Sequence, residues 1–221
     1  MKKYLKILRE CPLFDGIDDE ELLRMLVCRG ATVKSFPQKS TVFAEGDRPH
    51  LIGIVLSGSA QIIQFDYNGN KNIISTVMPS ELFCEAFALA KTDSLPVAVV
   101  TSEESEVMFI EAQRVTTTCS NNCGFHQRLI YNLMKDLACK TIDYHKRIGI
   151  TSKRTTRDKL LEYLTIESKR VGKRSFDIPF DRQELADYLE VERSGLSAEI
   201  GKMRKEGILE SRKNHFTLFD I

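Results

Sequence analysis

Asp181-Arg-Gln-Glu-Leu-Ala-Asp-Tyr-Leu-Glu-Val-Glu-Arg-Ser-Gly-Leu-Ser-Ala-Glu-Ile-Gly-Lys-Met-Arg-Lys-Glu-Gly-Ile-Leu209 decides how this chain is read. It divides into two short helices joined by a tight turn. Leu185, Ala186 and Leu189 share one face of the first at helical spacing. Asp181 followed three residues later by Glu184 is a capping-box start. In the second helix Leu196, Ile200 and Met203 face a core, and Gly207 stands where a helix C-terminus takes a left-handed residue. The outward residues at its start are Arg193, Ser194, Ser197 and Ala198, with Lys202 one turn on. Such a helix end reaches base edges in a major groove. The plain alternative is an amphipathic helical hairpin packed on another element. Caps, turn, core face and basic outer face together favour the DNA-reading helix-turn-helix.

The segments on either side support this. Ile208–Glu210 and His215–Leu218 alternate around the polar Ser211-Arg-Lys-Asn214, the pattern of a β-hairpin. It would be the wing of a winged helix, with Arg212 and Lys213 at its tip as phosphate contacts. Arg193 is expected to make a bidentate contact to guanine. Arg182 and Gln183, near the start of the first helix, are expected to touch phosphate.

The 221 residues suffice for one large or two small domains, and 42% hydrophobic against 29% charged residues fits a globular chain. No apolar run reaches membrane-spanning length, and Lys2, Lys3, Lys6 and Arg9 interrupt any signal-peptide core. A cytoplasmic location without membrane attachment is expected. Net charge is +1, with 17 Lys/Arg against 18 Asp/Glu in residues 1–149 and 15 against 13 in 150–221. A DNA-facing field must therefore come from placement. Six scattered cysteines read as thiols or ligands, not disulfides. No nucleophile–base–orienter set, P-loop or HExxH is present in the sequence, so no enzyme is expected.

Upstream, residues 4–29 read as helical, with Leu22, Leu23, Leu26 and Val27 at helical spacing. From about 32 to 110 the period becomes two, in Ile52/Ile54/Leu56, Ile62, Ile73/Ser75/Val77, Val97/Val99 and Val107/Phe109. Turn signals at Glu45-Gly-Asp47, Ser57-Gly-Ser59, Asn68-Gly-Asn70 and Pro79-Ser80 separate them, as in a β sandwich, roll or barrel. Glu81–Ala90, rich in Ala and Leu, reads as a short helix inserted among strands, marking a ligand pocket. Residues 113–148 are helical again. Ile130, Met134, Leu137, Thr141, Tyr144 and Ile148 follow alternating steps of four and three, the seam of a two-stranded coiled coil. Leu129 and Leu133, on the neighbouring face, suit packing on the chain's own strands. Ile150–Arg154 serves as a hinge, Thr155 or Thr156 caps a helix with Leu160, Leu161 and Leu164, and Phe176/Ile178/Phe180 form a short strand pair. The fold class is α+β. A β-roll of cupin-like or jelly-roll type, the sensor domain, occupies 1–112; a dimerisation helix and hinge occupy 113–150; a winged helix-turn-helix occupies 151–221.

This order resembles the Crp–Fnr family of bacterial transcription regulators over essentially the whole chain. The resemblance rests on Glu45-Gly-Asp47, Val55-Leu-Ser-Gly58, Glu81-Leu-Phe-Cys-Glu85, Arg182-Gln-Glu-Leu-Ala-Asp187, Val191-Glu-Arg-Ser194 and Lys205-Glu-Gly-Ile208. Leu95-Pro-Val-Ala-Val-Val100, Cys119–His126 and Asn214-His-Phe216 are similar to a subgroup from anaerobic Firmicutes and relatives. The resemblance implies that the inserted helix corresponds to a phosphate-binding cassette for cyclic AMP, with Leu82, Phe83, Cys84, Glu85, Leu95 and Pro96 as the effector pocket. In the family, backbone N–H groups and an Arg hold the phosphate and a Glu accepts a ribose hydroxyl. Glu85 takes the place of that Glu, but Leu95 and Pro96 stand where the family has Arg-Ser, and Cys84 replaces a Gly. Without its countercation, a buried phosphodiester costs several kcal/mol to desolvate. The departures disfavour cyclic AMP; Lys91 is the one loop cation suggested as a substitute. Ser194 and Ala198 depart from the Glu and Arg of the family's cyclic AMP receptor, so its half-site does not transfer. Glu190 stands where the family turn often has Gly, a position needing positive φ.

Cys119-x3-Cys123-x2-His126 spaces three soft ligands within eight residues, suggesting zinc or iron with a fourth ligand from Cys84, Cys28 or a partner chain. Against it, the spacing is no standard zinc knuckle, and the family's oxygen sensor uses an N-terminal cysteine cluster of which this chain has only Cys11. His50 and His215 are expected at the surface or in packing, and His145 near the hinge. The expected function is a homodimeric regulator binding double-stranded DNA at a pseudo-palindromic operator, with RNA polymerase as a further partner and an unknown effector other than cyclic AMP. Two alternatives remain: a redox or metal sensor using Cys119, Cys123 and His126, and a ligand-binding protein whose winged helix contacts proteins.

Overall fold

The computed structural model describes residues 1–65, 67, 71–117 and 124–219, which divide into two compact units, Met1–Cys139 and Lys140–Ile221. The N-terminal unit opens with 3-10 turns at Lys2–Tyr4 and Pro12–Phe14 around α1 (Leu5–Glu10), followed by α2 (Asp19–Cys28). Asp18 caps α2 by accepting the Glu21 N–H at 2.8 Å. Leu22, Met25 and Leu26 are buried, whereas Val27, expected on the same face, is 77% exposed. Met25 takes that place on the inner face, at i+3 from Leu22.

The strands are β1 (Thr32–Phe36), β2 (Thr41–Phe43), β3 (Leu51–Ser57), β4 (Ala60–Phe65), β5 (Lys71–Val77), β6 (Leu82–Phe83), β7 (Ala98–Thr101) and β8 (Ser105–Glu111). They form two antiparallel four-stranded sheets, ordered β1-β8-β3-β6 and β2-β7-β4-β5. Alternation fails in β3 because both of its faces are buried. Ile52, Ile54 and Leu56 join the α1 and α2 side chains, while Val55 joins the aromatic interior of the roll. Met108 and Ile110 of β8 face the first cluster, and Val107 and Phe109 the second. In β5 the expected inward face is lost, since Ile73 is exposed and Val77 alone is buried. Gly53 is required by contact: a Cβ there would sit 2.2 Å from the Phe83 ring.

The segment expected as one helix from 81 to 90 splits. Leu82–Phe83 is β6, paired with Gly53–Ile54, and α3 is Glu85–Ala90. Next come α4 (Ala112–Thr116) and the long α5 (Gly124–Thr151). Leu129 and Leu133 of α5 are buried against the N-terminal core, and Asn132 donates to the Leu13 and Asp15 carbonyls at 3.0 and 2.8 Å. The sequence set 113–150 apart as helix and hinge; the two units instead divide within α5, and Ile150 packs into the C-terminal core.

The C-terminal unit continues with α6 (Thr156–Val171), β9 (Ser175–Asp177), α7 (Arg182–Leu189), α8 (Arg193–Lys205), β10 (Leu209–Arg212) and β11 (His215–Leu218). Thr155 is the cap of α6, accepting the Asp158 N–H. The expected strand pair at 176–180 is a single strand, β9, and its partner is β11, giving the order β10-β11-β9. Pro179 explains the early end: it has no N–H to extend a ladder.

Candidate nucleic-acid interface and effector region

α7 begins with a complete capping box. Asp181 accepts the Gln183 and Glu184 N–H groups at 2.7 and 2.9 Å, and Glu184 accepts the Asp181 N–H at 2.7 Å. It ends at Glu190, whose φ of +53° is left-handed, as the family's Gly at this position implied. Lys159 of α6 holds that end by donating to the Leu189 and Glu190 carbonyls at 3.1 and 3.3 Å. Arg147 of α5 lies 5.5 Å over the Tyr188 ring, with a guanidinium nitrogen 3.9 Å from Glu190. Neither contact was read from the sequence; each joins elements far apart in the chain, which spacing does not reveal.

On α8, Leu196, Ile200 and Met203 are buried in the core shared by α6, α7 and the three-stranded sheet. Arg193, Ser194, Ser197, Ala198 and Lys202 are all exposed. No side chain caps the first turn of α8. Its N–H groups and positive dipole end are therefore open beside Arg193, a suitable setting for phosphate and base acceptors. Gln183 is exposed and donates to Asp187 at 2.8 Å.

Arg182, expected at a phosphate, also makes contacts within the protein. It is half-buried, donates to the Lys213 carbonyl at 3.2 Å, and lies 5.5 Å over the Phe216 ring. Burial, and then the nearby Arg193 cation, hold its guanidinium below the ordinary arginine value. It ties α7 to the wing. Lys213 at the wing turn has φ +56°, and Arg212 and Lys213 both project into solvent. Below the tip, Ser175, His215 and Asp177 form a line: His215 Nδ1 lies 2.9 Å from Asp177 Oδ1, and the Ser175 hydroxyl lies 2.9 Å from Nε2. This is the order of a nucleophile–base–orienter set that the sequence did not disclose. It lies on one face of β9 and β11, with Asp177 71% exposed. Both contacts run across the β9–β11 pair, the geometry of a cross-strand brace.

In the roll, Leu82, Phe83, Cys84, Glu85 and Leu95 are buried and Pro96 is exposed. Cys84 adopts φ +62°, the left-handed region its Gly counterpart would favour. Phe83, Cys84 and Leu95 belong to the interior cluster with Phe109, and Phe43 stacks edge-on to Phe83 and Phe109 at 5.9 and 5.7 Å. Leu95 is pinned by its backbone: it accepts from Gly46 N–H at 2.9 Å and donates to the Asp47 carbonyl at 2.8 Å. Where a phosphate's countercation would be needed, an alkyl side chain is locked into the core. The backbone of Lys91, suggested as a substitute, caps the far end of α3, and its side chain is exposed. Burial, then Glu85, pushes the Cys84 thiol up to about 12, which keeps it protonated at neutral pH.

Cys119 and Cys123 lie outside the described residues. His126 is buried at the start of α5 beside Phe125, with ring centroids 4.2 Å apart. Burial, then the Arg29 cation, lowers its pKa. Among the described residues no three His, Cys, Asp or Glu side chains gather as a metal site.

Along α5, Met134, Tyr144 and Ile148 are 64%, 58% and 60% exposed, and Thr141 is also exposed. Ile130 and Leu137, on the same seam, are half-buried, and Leu137 touches the N-terminal core. Among the described residues no helix is long and apolar enough to cross a membrane.

The family model for the cyclic nucleotide-binding domain matches residues 33–122, and that for the Crp-like helix-turn-helix domain matches 158–221. The transcriptional activator protein FnrA of Stutzerimonas stutzeri is 23% identical over 214 residues, spanning 95% of this chain and 84% of that protein. FnrL of Cereibacter sphaeroides is 21% identical over 204 residues, 85% of this chain and 77% of that protein. Among solved structures, the c-di-GMP responsive global regulator CLP of Xanthomonas campestris has a TM-score of 0.59 at 19% identity, covering 92% of this chain and 100% of that one. CprK complexed with OCPA has a TM-score of 0.66 at 12% identity, covering 91% and 90%; these structural likenesses concern the fold. With the helix-turn-helix, wing and roll in family order and both family models matched, the chain belongs to the Crp–Fnr family of DNA-binding transcription regulators.

Proposed function

We propose that the chain acts in the cytoplasm as a homodimer reading a pseudo-palindromic operator, under control of an effector other than cyclic AMP. The observation that carries this is the face of α8, where Arg193, Ser194, Ser197, Ala198 and Lys202 are exposed above a buried Leu196, Ile200 and Met203. Arg193 reads a base, while Gln183, Arg212 and Lys213 contact the sugar–phosphate backbone. The exposed seam on α5 supplies the dimer contact, and the two-fold axis sets half-sites roughly one helical turn apart. RNA polymerase is the further partner of the bound dimer. Selection of operator sequences from a random duplex pool, followed by a salt titration, tests the reading. A recovered inverted repeat whose affinity falls steeply with salt is expected. Failure to enrich any sequence, with the wing binding a protein instead, would overturn it. The same dimer titrated with millimolar cyclic AMP should show no binding heat.

A further inference from the structure

A cavity of about 420 Å³ opens in the N-terminal unit, and its lining does not include Cys84, Glu85 or Leu95. Its walls come from three elements: Arg48 and His50 ahead of β3, Leu89 and Lys91 at the end of α3, and Ala112 and Gln113 of α4. The volume lies in the range of small-ligand sites. Its charge is one-sided. Arg48 and Lys91 are exposed, and neither has a side-chain partner among the described residues. The single carboxylate on the wall, Glu111, is engaged by Arg114 at 2.8 Å. His50 turns Nδ1 toward the Arg48 carbonyl at 3.2 Å, leaving Nε2 for another partner. The floor is apolar, formed by Ala88, Leu89 and Ala112. Lys91 also holds φ +53°, the left-handed cap that ends α3.

We propose that this cavity binds a small organic anion, its charged head between Arg48 and Lys91 and its apolar body on Leu89 and Ala112, and that occupancy changes DNA affinity. Two cations and hydrogen-bonding side chains receive a carboxylate or phosphate monoester. The apolar floor adds affinity that an inorganic ion lacks. Because the site touches both α3 and α4, the ligand would bridge the inserted helix to the element that precedes α5. It binds one arrangement of these helices better than another, which is what shifts an equilibrium. The regulatory half rests on the reading as a DNA-binding regulator; the binding half does not.

The full-length protein is titrated with 1-anilinonaphthalene-8-sulfonate, and the bound probe is displaced with hexanoate, hexyl phosphate and hexanol. Saturable binding at one probe per chain is expected, with displacement by hexanoate, hexyl phosphate or both, and not by hexanol. Whichever acid displaces identifies the head group. The double variant Arg48→Gln, Lys91→Gln, checked for folding by circular dichroism, should bind the probe at least tenfold more weakly. Absence of probe binding, equal binding by the variant, or displacement by hexanol as readily as by the acids overturns the site. Operator affinity is then measured with and without the displacing acid at saturation. A change of threefold or more in wild type, absent in the double variant, is expected. Unchanged affinity overturns the regulatory half, whereas no operator binding in either condition counts against the regulator reading and leaves the site standing.

Discussion

At the scale of single residues, the α8 face separates reading from holding. Arg193 is exposed on the first turn of α8, so Arg193→Ala should cost about 1–3 kcal/mol on the operator and relax preference at one base pair. Equal weakening on all sequences, measured by competition with single-base operator variants, would contradict base reading. Arg182 should behave otherwise, because its guanidinium is engaged by the Lys213 carbonyl and Phe216. Arg182→Ala should lower the melting temperature and weaken all sequences alike while leaving the slope of log affinity against log salt unchanged. A slope smaller by about one unit would restore it to the phosphate contacts. Sequence placed Arg182 at this helix end but did not disclose its contact with the Lys213 carbonyl, which lies 31 residues away across the wing. Glu190 was legible through the resemblance, which puts Gly at this turn position, and φ is +53°. Relieving it with Glu190→Gly should stabilise the C-terminal unit by about 1 kcal/mol in chemical denaturation, with no stabilisation sinking the strain argument.

At the scale of elements, α5 carries two kinds of apolar residue that sequence spacing distinguishes. Leu129 and Leu133 are buried in the chain's own core, whereas Met134, Tyr144 and Ile148 remain exposed on the predicted seam. On the proposed reading this seam takes a second copy, and placing charges in it should separate the copies. Met134→Lys combined with Ile148→Lys should yield a monomer in sedimentation equilibrium, with operator affinity falling because the two half-sites are no longer linked. A dimer that persists unchanged would remove the seam from the interface. Helices and caps were legible because period and cap residues are local: Thr155 and Asp181 each accept the N–H groups expected of them. The strands were less so. β3 is buried on both faces, so Val55 interrupts the two-residue period, and Leu82–Phe83 pairs with Gly53–Ile54 through a contact that helical composition conceals. The cavity beside Lys91 was not legible at all, because its walls come from three segments separated by loops of unpredictable course.

At the scale of the molecule, two units with separate cores imply two stabilities, and pH should act on one more than the other. The N-terminal unit buries His126, whose pKa is lowered from 6.5 by burial and then by Arg29. Once unfolded, that imidazole takes up a proton near pH 6.5, while in the folded unit it stays neutral to lower pH. The unfolded state therefore binds more protons in this window. Stability is fully present above about pH 6.5 and declines as pH falls toward the folded-state value. No comparable buried histidine supports the C-terminal core among the described residues, where His215 is partly exposed against Asp177. Calorimetry of the full chain between pH 8 and pH 5 should therefore show one transition moving to lower temperature as the solution is acidified. In His126→Gln that transition starts lower, but it should move less with pH, and this slope, not the starting temperature, is the diagnostic quantity. An equally steep slope in the variant would show that carboxylates, and not the buried imidazole, set the acid sensitivity of the unit.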